Sequence, residues 1–219
     1  MLASWKRQTL RIPLVVSMTM DSSLQEQCCL PTMPGLTIIL RDGKLSQFEH
    51  FKHLSALGFT NATWLLFTDD DDIWHPTRAE TYYDAILAGE RDGSHAAYAV
   101  CKTIPDAHVD APIATVEDVM ALFASGALMP RTEDTETYTE ALGNYVEYAV
   151  HLSTLRNFVN NAAPAILRHP YCDMGFVRYL RVGHNHPILR IVSAHWLYYY
   201  RYDMAIGQAC LRVDNGELS

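Results

Sequence analysis

The sequence predicts an α/β fold with a mixed, mainly parallel central sheet flanked by helices. Three observations carry this. Apolar runs of strand length alternate with segments of helical period through the first half of the chain. One such run, residues 62–68, leads straight into four aspartates and a proline. The composition, 49% hydrophobic and 19% charged over 219 residues, is that of a globular chain long enough for one well-buried domain.

The elements follow in order. Residues 12–20 read as the first strand and residues 36–41 as the second. Ser46-Gln47-Phe48-Glu49 is a capping box for a helix with apolar residues Phe48, Phe51, Leu54 and Leu57 and a stop at Gly58. Residues 62–68 form the strand that feeds the acids. Pro76 suits the first turn of a helix whose apolar face is Ala79, Tyr82, Tyr83, Ile86 and Leu87, ending at Gly89. Residues 94–101 read as another strand, and this β-α-β-α-β order predicts parallel pairs covered by helices. Beyond it, Thr115-Val116-Glu117-Asp118 caps a helix ending near Gly126. Residues 144–152 read as a strand, 153–160 as a helix, a further helix starts near Asp173, and 190–202 read as one long strand rich in tyrosine.

The acid run is Thr68-Asp69-Asp70-Asp71-Asp72-Ile73-Trp74-His75-Pro76. Adjacent carboxylates repel one another unless a cation sits among them. In extended backbone Asp69 and Asp71 project to one side, and Asp70 and Asp72 to the other. Two carboxylates at a strand's C-terminal end make a hard-oxygen site for Mn²⁺ or Mg²⁺. Most acidic runs are solvated loops, but the apolar flanks here argue against that. An EF-hand loop starting at Asp69 finds Glu80 at its twelfth position, yet Ile73 and Trp74 stand where an oxygen ligand and a glycine are required. A Walker B strand lacks its partner loop, because Ile38 occupies the first glycine position before Gly43-Lys44.

Residues 67–76 resemble the F-L-D-x-D-D-x-W-x-P stretch of family-2 and related glycosyltransferases of GT-A fold. The resemblance implies a GT-A (Rossmann-like) sheet in which Asp69 and Asp71 hold a divalent metal on a nucleotide-sugar diphosphate, with Asp70 beside the donor. It divides a single domain, 1–219, into a nucleotide-sugar half of about 1–105 and an acceptor half of about 106–219. The same resemblance places Ser17, Thr19, Arg41 and Asp42 around the nucleotide. The family's Pro-x-Tyr-Asn is absent, and an ordinary strand at Ser17 and Thr19 with a turn at Asp42-Gly43 accounts for those residues equally well. Tyr171-Cys172-Asp173-Met174-Gly175-Phe176 resembles the segment carrying the catalytic base of inverting members, which makes Asp173 the candidate base; helix N-capping explains an aspartate there equally well. Tyr198-Tyr199-Tyr200-Arg201-Tyr202-Asp203 resembles the family's late Y-Y-x-R-x-H strand, with Asp203 in place of the metal-binding histidine. His195 and Gly183-His184-Asn185-His186 are rival ligands. Over its whole length the chain also resembles viral glycosyltransferase domains that help to build capsid glycan. That implies work in the host cytoplasm and further domains in a longer parent chain.

Composition narrows the partners. A net charge of −8 disfavours nucleic acid and anionic membranes, and no apolar run approaches the roughly 20 residues of a membrane span. Cys28, Cys29, Cys101, Cys172 and Cys210 show no C-x-x-C spacing and read as reduced thiols of a cytoplasmic protein. The expected activity is metal-dependent transfer of a hexose or deoxyhexose, glucose- or rhamnose-like, from a UDP-linked sugar to a hydroxyl of a glycan or glycoprotein. Two rivals remain. A sugar-phosphate nucleotidyltransferase needs a glycine-rich loop near the first strand, and residues 18–24 contain no glycine. A non-catalytic nucleotide-sugar or glycan-binding module would bind donor without hydrolysing it.

Overall fold

The computed structural model describes residues 1–20, 30–57, 62–69, 72–89, 94, 96–99, 102–103, 115–126, 144–182, 188–191, 193 and 197–199. It is a mixed α/β structure with mixed sheets. After a single helical turn, Leu2–Trp5 (α1), the indole of buried Trp5 donates to the Ile12 carbonyl at 2.9 Å. That contact fixes the chain as it enters Leu14–Thr19 (β1), which runs parallel to Leu36–Arg41 (β2) with Leu14 opposite Leu36 and Thr19 opposite Arg41. Gly35 (φ +80°) turns the chain into β2, and Gly43 (φ +77°) turns it out, a backbone region that side chains disfavour.

Ser46 caps Gln47–Ala56 (α2) with both bonds of the expected box. Trp64–Leu66 (β3) is shorter than residues 62–68. Ile73–Trp74 (β4) returns to extended structure just past the acids, a strand the sequence did not reveal. Pro76 lies in a turn just ahead of Arg78–Gly89 (α3) rather than in its first turn, a boundary shift of ordinary size. The buried stripe of α3 is Arg78, Ala79, Tyr82, Ile86 and Gly89. Tyr83 and Leu87, expected in that stripe, are half exposed. The helix is rotated because Arg78 is drawn inward by backbone carbonyls and aromatic faces.

Ala96–Ala99 (β5) and Lys102–Thr103 (β6) follow, then Val116–Ser125 (α4), capped by Thr115 and Asp118 and closed by Gly126 at φ +72°. The segment expected as one strand from 144 to 152 is a 3₁₀ turn, Tyr145–Glu147, leading into Tyr148–His151 (β7). Leu152–Asn161 (α5), Pro164–Leu167 (α6) and Cys172–Val182 (α7) complete the helices described. The long strand expected over 190–202 is two strands in different sheets, Ile188–Ile191 (β8) and Tyr198–Tyr199 (β9).

One sheet has the order β3-β7-β5-β8, with β7 antiparallel to both neighbours and β5 parallel to β8. A second has the order β4-β9-β6, β9 being antiparallel to β4 and parallel to β6. Half of the described strand pairs are therefore antiparallel, more than the expected mainly parallel sheet. Tyr148, Ala149 and Val150 of β7 are buried without alternation, as a strand covered on both faces requires. Behind β3 lies an aromatic core. Phe48 of α2 meets Phe158 of α5 at 5.8 Å and Phe176 of α7 at 5.4 Å, and Phe67 meets Tyr145 at 5.6 Å and Phe176 at 5.9 Å. This core carries the backbone up to Asp69.

Candidate functional site at the end of β3

Asp69 stands three residues past β3, where the chain leaves the aromatic core. Its Oδ1 accepts a 2.9 Å hydrogen bond from Gln47 Nε2 and a second, short one from the Tyr145 hydroxyl. Gln47 Nε2 also reaches the Tyr145 oxygen, at 2.6 Å. Tyr145 is buried, and burial, reinforced by the negative charge of Asp69, holds its phenol well above the ordinary tyrosine pKa. The phenol therefore stays protonated and donates. The first helical residue of α2 and the first residue of the 3₁₀ turn thus fix one oxygen of a carboxylate at a strand exit.

Asp72 belongs to a different environment. It is fully buried and accepts a short hydrogen bond from the hydroxyl of buried Tyr198 in β9. Arg78, also fully buried, lies over Trp74 at 4.5 Å and over Tyr198 at 4.9 Å. Asp70, Asp71, His195, Asp203 and the histidines of 183–186 lie outside the described residues, so the partners expected for Asp69 are not placed. Among the described residues no three His, Cys, Asp or Glu side chains gather as a metal-ligand group. A fixed carboxylate is nonetheless the right donor type for Mn²⁺ or Mg²⁺.

On the nucleotide side the expected residues do come together, around a histidine the sequence reading missed. Ser17 and Thr19 project from the same face of β1 toward α2. There Ser17 Oγ lies 2.8 Å from His50 Nδ1 and Thr19 Oγ1 lies 3.2 Å from Nε2. Burial, followed by the neighbouring charges of His53 and Arg41, lowers the His50 pKa. In its neutral form one ring nitrogen donates and the other accepts, so both hydroxyls are matched. Arg41, opposite Thr19, has its Nε buried without a hydrogen-bond partner among the described residues. Asp42 is exposed in the turn beyond β2. The only signal for His50 in the sequence was its place on α2, one turn past the cap.

Asp173 is the second residue of α7, one step inside the helix rather than at its N-cap. Burial raises its pKa, while hydrogen bonds from the backbone N–H groups of Met174 and Asp173 oppose that rise. Its Oδ1 is buried with no hydrogen-bond partner among the described residues. One turn on, Phe176 packs against Phe67, so α7 is seated on the segment that presents Asp69. Neighbouring Cys172 is a free, buried thiol pushed up to about 12 by burial, which leaves it without thiolate character. Cys28, Cys29, Cys101 and Cys210 lie outside the described residues. A pocket of about 320 Å³ beside β4 and α4, bounded by Arg7, His75, Glu117 and Phe123, contains none of the candidate residues.

No helix among the described residues is long and apolar enough to cross a membrane. No protein-family model matches the chain, and no curated protein is significantly similar to it.

Proposed function

We propose that the chain is a divalent-metal-dependent glycosyltransferase of GT-A type. It would transfer a hexose or deoxyhexose, glucose- or rhamnose-like, from a UDP-linked sugar to a hydroxyl of a glycan or glycoprotein. The observation that carries this reading is Asp69: a carboxylate at the exit of a sheet strand, fixed by Tyr145 and Gln47 from two other elements. The parallel β1–β2 pair, with polar residues at its C-terminal end, adds support, because open α/β sheets bind nucleotides at such ends. The capsid-glycan pathway, the host cytoplasm and the further domains belong to the same reading.

Asp69 and Asp71 would hold Mn²⁺ or Mg²⁺, with Asp203 or His195 completing the set. A divalent ion there supplies a Lewis acid for the departing diphosphate. The chain's own residues do the rest. Tyr145 and Gln47 keep Asp69 oriented, so its charge needs no rearrangement. Ser17, Thr19 and His50 form a hydrogen-bonded wall beside Arg41, whose guanidinium suits a donor phosphate. Burial raises the basicity of Asp173, and a more basic carboxylate is better placed to take the acceptor hydroxyl proton.

Isothermal titration of UDP in the presence of Mn²⁺, then with excess EDTA, tests the metal bridge. Binding should require the metal, and equal affinity in both conditions overturns it. Asp69→Asn and Asp71→Asn should each fold yet hydrolyse donor at least ~100-fold more slowly, the scale of losing one strong transition-state contact. A parent protein that binds UDP-sugar with metal but never releases sugar is a binding module instead.

A further inference from the structure

We infer that Arg78 is the positioning residue of the acid run, a single buried guanidinium against which both ends of the run are set. Its side chain is fully buried, and Nη2 donates to the Phe67 carbonyl at 3.1 Å and to the Val146 carbonyl at 2.5 Å. Phe67 lies two residues before Asp69, and Val146 directly follows Tyr145. The guanidinium therefore spans the gap that the Tyr145–Asp69 hydrogen bond also crosses.

The ring contacts extend the same hold to the neighbouring residues. Trp74, 4.5 Å beneath the guanidinium, donates its indole N–H to Thr68 Oγ1 at 2.8 Å. Tyr198, 4.9 Å away, donates its hydroxyl to Asp72. Tyr82 of α3 adds a third ring at 5.8 Å and donates to the Glu147 carbonyl at 2.6 Å. Thr68 and Asp72, on either side of Asp69–Asp71, are thus tied to one group.

Arg78 Nε and Nη1 have no hydrogen-bond partner among the described residues. A leucine or methionine would fill this volume without the cost of burying a charge. What an apolar residue cannot do is bridge two carbonyls while offering a cation to the surrounding rings. Lysine cannot do so either, because its ammonium is a compact point charge rather than a planar fork.

The test is a double-mutant cycle of Arg78→Lys and Tyr145→Phe, read by urea unfolding in EDTA and then by calorimetry with Mn²⁺ alone. In EDTA the double variant should lose clearly less stability than the two single variants together. With the Tyr145 hydroxyl gone, the spacing that Arg78 sets no longer serves that bond. Additive losses overturn the inference. Only the calorimetric arm rests on the proposed metal site. There Arg78→Lys, with its charge kept, should weaken Mn²⁺ binding about 10- to 100-fold, the range for residues that orient ligands. Unchanged affinity also overturns the inference. If the parent takes up no Mn²⁺, the metal reading falls and the cycle alone decides Arg78. Should Arg78→Lys fail to fold, Arg78→Met, which fills the volume without a buried charge but cannot bridge the two carbonyls, takes its place with the same expected coupling.

Discussion

Asp173 is held between opposing influences, burial favouring its neutral form and two backbone N–H groups favouring its charge. Burial wins, so its folded pKa lies above the ordinary carboxylate value of about 3.9. Ionisation therefore costs the folded state more than the unfolded one. Stability falls as pH rises from the ordinary range through the folded pKa, and stays level above it. Asp173→Asn removes that loss, so near pH 7 the variant should melt at or slightly above the parent. If Asp173 is the base, the same variant should transfer sugar about 100-fold more slowly or worse, with donor binding intact. Parent-rate transfer would leave Asp173 a helix-turn residue only. Of the rival acids in the acceptor half, Asp110 lies outside the described residues, and Glu147 is already engaged, accepting from the Asn144 N–H at 2.6 Å in a capping box. At this scale Asp69 was legible because its signal is local, an apolar strand running into acids. Its partners were not. Gln47 lies 22 residues before it and Tyr145 lies 76 residues after, and neither carries a local mark of that meeting.

Two helices share one capping motif and differ in what it touches. Ser46 Oγ accepts from the Glu49 N–H at 3.2 Å and also donates to the Leu167 carbonyl at 2.7 Å, while Glu49 accepts from Arg168 Nε at 2.8 Å. The cap of α2 is thereby a joint to α6. Thr115 and Asp118 close the same box on α4 among exposed groups. Ser46→Ala should therefore cost about 2 kcal/mol, at the upper end for a lost cap, and Thr115→Ala about 1 kcal/mol or less. Urea unfolding of both variants checks the order; equal losses would mean that the bond to Leu167 contributes nothing. Both boxes were readable from four residues, because capping is settled within one helical turn. The face of α3 was not, since the inward turn of Arg78 depends on Phe67, Val146 and Tyr198 from elsewhere in the chain. Residues 190–202 failed for a related reason. A run of strand-forming residues specifies extended backbone but not which sheet each part joins.

Across the whole molecule, an α/β class was legible from the alternation of periods, but the order of the strands was not. Strand order is decided by which apolar edges meet, and β7 reaches its place from far along the chain. It lies between β3 and β5, and all of its hydrogen-bonding edges are taken up there. Residues 1–105 made alone should therefore give no cooperative thermal transition, since β3 and β5 would lack the strand that joins them. A sharp transition from that fragment would show that these strands find another partner. The same arrangement governs events during synthesis. At roughly 5–20 residues per second, the ribosome takes about 4–16 s to travel from the end of β3 to the start of β7. Throughout that interval β3 has a bare edge, and once residue 99 has been made β5 adds a second, with no strand yet available to join the two. Production should thus depend on how long those edges stay shielded, and slower translation of the stretch before residue 148 should send more chains into aggregates.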